Sequence, residues 1–406
     1  MILKGTFLHP PALGELEIRP NAYLVTDHTT VVGLYDALPP EYEGQPVTDW
    51  GDSLIIPAFT DLHIHAPQII NRGIGYDKEL LPWLETYTFP AEARFADAAF
   101  ADRAWKALLN HLWAVGTLRF SAFATIHMAS LREDTVASLA DTEELICRSR
   151  TELRRTRFIL TPRFVPSTTP MLMDGLGVLA ERYSLPVQSH LSENRSEVAW
   201  VAQLHPDIPT YTQVYADYGL LPRDHTIMAH AIHLSDGEKD LLRDRGVMLA
   251  HCPLSNANLS SGIMPLRQNL ARGLWCSVAS DVAGGHTAAM ARSVTATVQT
   301  SKLNWLDHHD QSPLPLAEAF YLATRGPGAF FGDVGAFLPG FDFDALVVRP
   351  SPLGALVERT PFERLEQFLY DGDDRNIAAR YCAGSLIPQP FPEAAEQPLP
   401  VDAEPT

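Results

Sequence analysis

The feature that most limits what this chain can become is a nine-residue run, Pro57-Ala58-Phe59-Thr60-Asp61-Leu62-His63-Ile64-His65, in which an apolar strand leads directly into two histidines. In extended backbone, residues i and i+2 project to the same face, so His63 and His65 can share one point in space while Ile64 turns away. Alone, such a pair is weak, because two histidines fall at this spacing by chance in many chains. The rest of the sequence adds to it. Strand candidates at 54–59, 116–125, 158–164, 186–190, 226–230, 247–251 and 274–279 are separated by longer polar or amphipathic stretches. This is the pattern of strands alternating with helices around a parallel sheet. Four of these strands end in or just before His190, His230, His251 and Asp281. Barrel strands deliver their C-terminal ends to one face, where active sites of this architecture sit. The expectation is an α/β fold, a TIM-like (β/α) barrel over 53–337.

Punctuation within this span agrees. Ser235 followed by Glu238 forms a capping box opening a helix that runs to Arg245. Residues 95–115 carry apolar side chains at helical spacing and stop at Gly116. Outside it, residues 1–52 hold short β-rich runs at 17–18 and 30–34, and a further apolar run at 345–348 can pair with them. We therefore expect a small β-sandwich domain from both chain ends, 1–52 with 338–387. Residues 388–406, with six prolines and four acidic residues, read as a disordered tail.

The set His63, His65, His190 and Asp281 suits zinc, which accepts imidazole nitrogen and carboxylate oxygen and becomes catalytic when one coordination position is left open. Of the four cysteines none forms a C-x-x-C pair, which argues against a thiolate zinc site. Zinc lowers the pKa of a bound water to roughly 7, giving a nucleophile at neutral pH. His230 is placed to hydrogen-bond that nucleophile or the outer shell of the ion. Glu193, three residues past His190, can shuttle protons. His251 reads equally well as a buried histidine satisfied by backbone.

A net charge of −18 repels polyanions, so nucleic acid is an unfavourable partner, and no apolar stretch approaches the ~20 residues needed to cross a bilayer. The scattered cysteines and the lack of a signal-peptide pattern fit a reducing cytoplasm.

Beyond these arguments, the chain resembles the guanine deaminases of the amidohydrolase superfamily. The resemblance rests on Ala58 to Gln68, on Trp83-Leu84-Glu85-Thr86-Tyr87-Thr88-Phe89-Pro90-Ala91-Glu92, on Thr161-Pro162-Arg163-Phe164, and on Ser189-His190-Leu191-Ser192-Glu193-Asn194. His251-Cys252-Pro253-Leu254-Ser255-Asn256 and Ser280-Asp281-Val282-Ala283-Gly284-Gly285 extend it. It implies one zinc ion per chain on His63, His65, His190 and Asp281, with Glu193 and Asp281 moving protons. It also implies a purine pocket formed by His65, Gln68, Arg163, Phe164, His190, Glu193 and Asp281. The implied reaction is hydrolysis of guanine to xanthine and ammonia, and the implied assembly a homodimer. Alternatives are another aminopurine, a pterin or a triazine as substrate, or a catalytically silent relative with a binding role. Three departures from the family pattern stand out. No strand-like run lies in 128–157, so the barrel is expected to be one strand–helix unit short. Arg119 and Arg325 place charge where the family is less charged or glycine-rich.

Overall fold

The computed structural model describes residues 1–125, 133–153, 155–309 and 312–389. Of the 388–406 stretch expected to be a disordered tail, residues 390–406 lie outside the described residues.

In chain order the strands are β1 (Ile2–His9), β2 (Glu17–Asp27), β3 (Thr30–Tyr35), β4 (Val47–Pro57), β5 (Phe59–His65), β6 (Thr117–Phe123) and β7 (Val187–Leu191). They continue as β8 (Thr226–His230), β9 (Met248–His251), β10 (Trp275–Val278), β11 (Ala345–Val348), β12 (Ile377–Cys382) and β13 (Ser385–Leu386). The first four and last three join the two ends of the chain in one sheet, ordered β13-β12-β11-β4-β1-β2-β3. β4 and β11 run antiparallel with Ile55 opposite Val347, and their paired stretches, 54–57 and 345–348, are buried on each face. Alternation divides their side chains between two cores. Ile55 and Val347 pack with Leu3, Phe7 and Phe343 in the sheet's own core. Leu54, Ile56, Leu346 and Val348 turn the other way, into the large core shared with Leu176, Val187 and Val294.

This two-sided burial corrects one sequence expectation. Residues 54–59 look like a single strand because apolar residues occupy both faces, yet the run divides at its proline. Residues 54–57 belong to β4, and the histidine-bearing strand β5 begins only at Phe59.

The remaining strands have the parallel arrangement of a TIM-like barrel. β5 pairs with β6, and β7, β8, β9 and β10 form a parallel run in that order. The expected strand at 158–164 reduces to one bridge, Leu160 opposite Val187. Among the described residues no strand lies between β6 and β7, and the 128–157 stretch contains the helix Thr135–Glu152. Two buried polar side chains close the seams that lack a ladder. Asp61 accepts from Ser280 N at 3.2 Å and Ser280 Oγ at 2.5 Å, tying β5 to the segment after β10. Gln188, fully buried on β7, accepts from Ser121 Oγ at 2.6 Å. Its amide nitrogen donates to Ala122 O at 3.0 Å and to Thr161 Oγ1 at 2.9 Å. One side chain thus stitches β6 to the 158–164 segment, with both N–H donors and the carbonyl oxygen of its amide engaged locally.

Helix ends follow their local chemistry. The expected helix at 95–115 begins instead at Ala98, because the Asp97 side chain accepts from Ala99 N and Phe100 N. It stops before Gly116, whose φ of +86° suits glycine and whose carbonyl accepts from Phe59 N at 3.0 Å. A Cβ there would meet Leu346 Cδ1 at 2.6 Å. Ser235 and Glu238 form the expected capping box of the helix Asp236–Asp244.

The two unusual arginines join the halves of the fold. Arg119 on β6 donates from Nε to Asp344 Oδ2 at 2.6 Å and from Nη2 to Asp342 Oδ2 at 2.8 Å, beside the end sheet. Arg325 donates to the Gly332 carbonyl at 3.1 Å and lies over the Phe341 ring. Among the described residues, no helix is long and apolar enough to cross a membrane.

Candidate metal and substrate site

β5 places His63 and His65 on one face and sends Ile64 outward to pack with Trp83, Leu108 and Leu112. His190 lies on β7 and His230 ends β8. Asp281 follows β10, its backbone N–H donating to His63 O at 2.9 Å. His230 and Asp281 adopt left-handed backbone, at φ +69° and +47°. Non-glycine residues in that region cost on the order of 1–3 kcal/mol, so the surrounding structure holds these turns for the direction they give the side chains.

The side chains converge. His65 Nε2 lies 3.0 Å from His190 Nε2, His63 Nε2 3.1 Å from Asp281 Oδ1, and His65 Nε2 3.5 Å from the same oxygen. Ligands bonded to one zinc at about 2.0–2.2 Å sit roughly 3–3.5 Å from each other, the spacing found here. His190 Nδ1 faces the Arg163 carbonyl at 2.6 Å. A carbonyl only accepts, so the proton resides on Nδ1 and the Nε2 lone pair is free to bind a cation. His63 Nε2 and Asp281 Oδ1 are buried without a hydrogen-bond partner. Converging lone pairs with nothing between them are unfavourable unless a cation joins them, so the donor set fits a metal ion.

The charge states agree with this. Burial holds His63 below the ordinary histidine range, and His65 and His190 well below it, so all three are neutral donors. Burial alone would raise Asp281, but the neighbouring imidazoles, His63 first, keep it well below the usual carboxylate range. Cys252 Sγ lies near His63, His230 and Asp281. Burial pushes its thiol far up, and Sγ donates to Ala250 O at 3.4 Å, so it remains a protonated, poor ligand. His251 joins neither cluster of potential ligands among the described residues, and its Nδ1 has no partner.

Beside the cluster stand two further buried titratable groups, Glu193 and His230. Glu193 is pushed up to about 7 by burial and accepts from Ser261 Oγ at 3.0 Å. His230 Nε2 lies 3.5 Å from Glu193 Oε2 and 3.8 Å from Asp281 Oδ2, while its Nδ1 faces Asn256 Oδ1 at 2.8 Å. Burial would lower His230, yet Glu193 and Asp281 raise it overall. Glu193 lies two residues before the helix Arg195–Leu204, with its backbone N–H bound by Glu197 Oε2 at 2.8 Å.

These groups open into a pocket whose walls include Gln68, Trp83, Arg163, Phe164 and Leu259. All seven residues expected to contact substrate line it. Sequence reasoning gave no role to four supporting residues: Glu92, Asn256, Ser261 and Glu197. Glu92 receives both arms of Arg163, at 2.7 and 2.9 Å, and Gln68 Nε2 at 2.8 Å. It closes the Trp83–Glu92 segment of the family resemblance, and it is the one acid in the otherwise apolar helical turn Phe89–Ala93, but neither signal gave it a role.

Comparison with known proteins completes the description. The model of the Amidohydrolase family matches residues 54–387, most of the chain. The chain belongs to the amidohydrolase family. Among curated relatives of this amidohydrolase, guanine deaminase of Dictyostelium discoideum is 33% identical over 443 aligned positions, covering 95% of this chain and 98% of the relative. Guanine deaminase of Homo sapiens is 32% identical, covering 95% and 96%. A solved guanine deaminase from C. acetobutylicum, with guanine bound in its active site, superposes with a TM-score of 0.92 at 40% identity, covering 95% of this chain and 99% of that one. The 443 aligned positions exceed the 406 residues of this amidohydrolase, so the alignment includes positions at which it has no residue.

Proposed function

We propose that this amidohydrolase is a zinc-dependent guanine deaminase that hydrolyses guanine to xanthine and ammonia. One observation carries the reading: the unpartnered, buried His63 Nε2 and Asp281 Oδ1 meet His65 and His190 at the floor of a pocket walled by Gln68, Arg163 and Phe164. The relative with bound guanine, at 40% identity, supports the choice of substrate.

His63, His65, His190 and Asp281 are assigned as ligands to one ion per chain. Zinc in such a site supplies Lewis acidity and brings the pKa of a water to roughly 7. The protein's own groups do the rest. Gln68 and Arg163 satisfy the polar edge of the purine and Phe164 covers a face, orienting the amino-bearing carbon toward Glu193. As the water oxygen bonds to that carbon, Glu193 takes the water's proton and delivers it to the adjacent ring nitrogen. An acid whose pKa lies near 7 can both accept and return a proton at neutral pH. Asp281 receives the second proton and passes it to the amine as the carbon–nitrogen bond breaks and ammonia leaves. His230, oriented by Asn256, hydrogen-bonds the attacking oxygen.

The same reading covers the architecture. We assign residues 53–337 to a barrel one strand–helix unit short and 1–52 with 338–387 to the accessory β domain, with 388–406 as a tail. The absence of a strand between β6 and β7 among the described residues supports the shortened barrel.

The test is metal analysis and turnover on one purified sample, with guanine, adenine, a pterin and a triazine as substrates. Zinc near one per chain with guanine preferred is expected. A folded, zinc-replete protein that leaves guanine unchanged would overturn the proposal.

A further inference from the structure

We propose that Glu92 is a specificity-determining positioning residue that fixes how the pocket presents its hydrogen-bonding edge to the purine; the inference rests on the deaminase reading above. Three observations meet at this carboxylate. It is almost fully buried, at 1% exposure, in a short turn whose other side chains are apolar. It takes a two-armed ion pair from Arg163, Nη1 to Oε2 at 2.7 Å and Nη2 to Oε1 at 2.9 Å. It also accepts from Gln68 Nε2 at 2.8 Å and from Thr125 Oγ1 at 3.1 Å.

The consequence follows from hydrogen-bond chemistry. A carboxylate only accepts, so the Gln68 amide must turn its nitrogen toward Glu92, which leaves its carbonyl oxygen and one N–H for the pocket. The two-armed pair likewise fixes the plane of the guanidinium, so the remaining N–H groups of Arg163 point in set directions. Glu92 also balances the charge of Arg163, so the recognition edge presents a directed donor without a net positive charge. A neutral amide at position 92 could donate to the Gln68 oxygen instead. The Gln68 amide would then flip, and a donor would stand where the purine meets an acceptor.

The experiment compares wild type with Glu92→Gln and Glu92→Asp, measuring zinc content, thermal midpoint, and KM and kcat for guanine and for 2-aminopurine, which lacks the C6 oxygen. Both variants should keep wild-type zinc. Glu92→Gln should raise KM for guanine about tenfold or more with kcat changed less than about threefold, and should narrow the preference for guanine over 2-aminopurine. Glu92→Asp, which keeps the charge but shortens the reach, should lie between. If Glu92→Gln fails to fold, Glu92→Asp alone decides by the same KM reading. An unchanged KM, an equal loss on both substrates, or loss of zinc and fold in both variants would overturn the proposal. Should wild type itself leave guanine unchanged, the deaminase reading falls first, a result distinct from any of these.

Discussion

The proposed metal cluster and the proposed recognition edge share one region of the fold but are built in different ways. The cluster is made by backbone. β5 and β7 carry its histidines at or near their C-terminal ends, Asp281 follows β10, and strand alternation with the left-handed backbone at Asp281 brings the donors together. The recognition edge is made by side chains. Gln68, Arg163 and Thr125 come from separate segments and are held together by the single carboxylate of Glu92. Backbone-built sites tolerate little change in ligand identity but need few helpers, whereas side-chain networks concentrate their dependence on one node.

Substitutions can break the backbone-built half outright. His63→Ala or Asp281→Asn should abolish zinc binding and reduce turnover below detection, read by metal analysis and xanthine formation. The fold should remain, since the β5–β6 pairing and the Asp281 N–H to His63 O contact are made by backbone and not by either side chain. Retained zinc in either variant would mean the ligand set is wrong.

Glu193→Gln probes chemistry beside the ligands. It should lower kcat by roughly 10²–10⁴ with zinc retained. In wild type the ionised base is lost as pH falls through about 7, so activity should drop on the acid side and that limb should flatten in the variant. An unaltered pH profile would remove Glu193 from proton transfer.

A smaller effect is expected one step further out. Asn256→Ala takes away the acceptor that orients His230, and such supporting contacts are worth about 10–100-fold in activity. A rate within twofold of wild type would show that His230 is held by Glu193 and Asp281 alone.

The smallest effect sharpens the comparison from outside the pocket. Gln188→Leu would leave Ser121 Oγ and Ala122 O at the β6 seam without their buried partner, costing about 1–3 kcal/mol and lowering the thermal midpoint while zinc stays bound. Equal stability would mean that the seam is held by something other than this amide.

What the sequence revealed follows the same division. His63, His65, His190, His230 and Asp281 could be read directly because strand periodicity and strand ends are local signals. β4 and β5 ran together because a strand buried on both faces has no polar alternation to mark its end at Pro57. The 158–164 segment reads as a strand from its composition, but its pairing depends on neighbours that are remote in sequence, and only Leu160 bridges. The contacts of Glu92, Asn256 and Ser261 could not be read, although Glu92 and Asn256 stand in segments that carry the family resemblance. Each acts through a contact across dozens of residues, and nothing local distinguishes them from ordinary polar positions. Arg119 looked like a misfit for a barrel strand because its partners, Asp342 and Asp344, lie more than two hundred residues away.

The most direct test of the central claim, that these strand ends grip one catalytic ion, is removal and return of metal with guanine turnover followed on the same sample. The account predicts about one zinc per folded chain, loss of xanthine formation after chelation without unfolding, and recovery on adding a single equivalent of zinc. Full turnover in protein shown to be free of metal would contradict it.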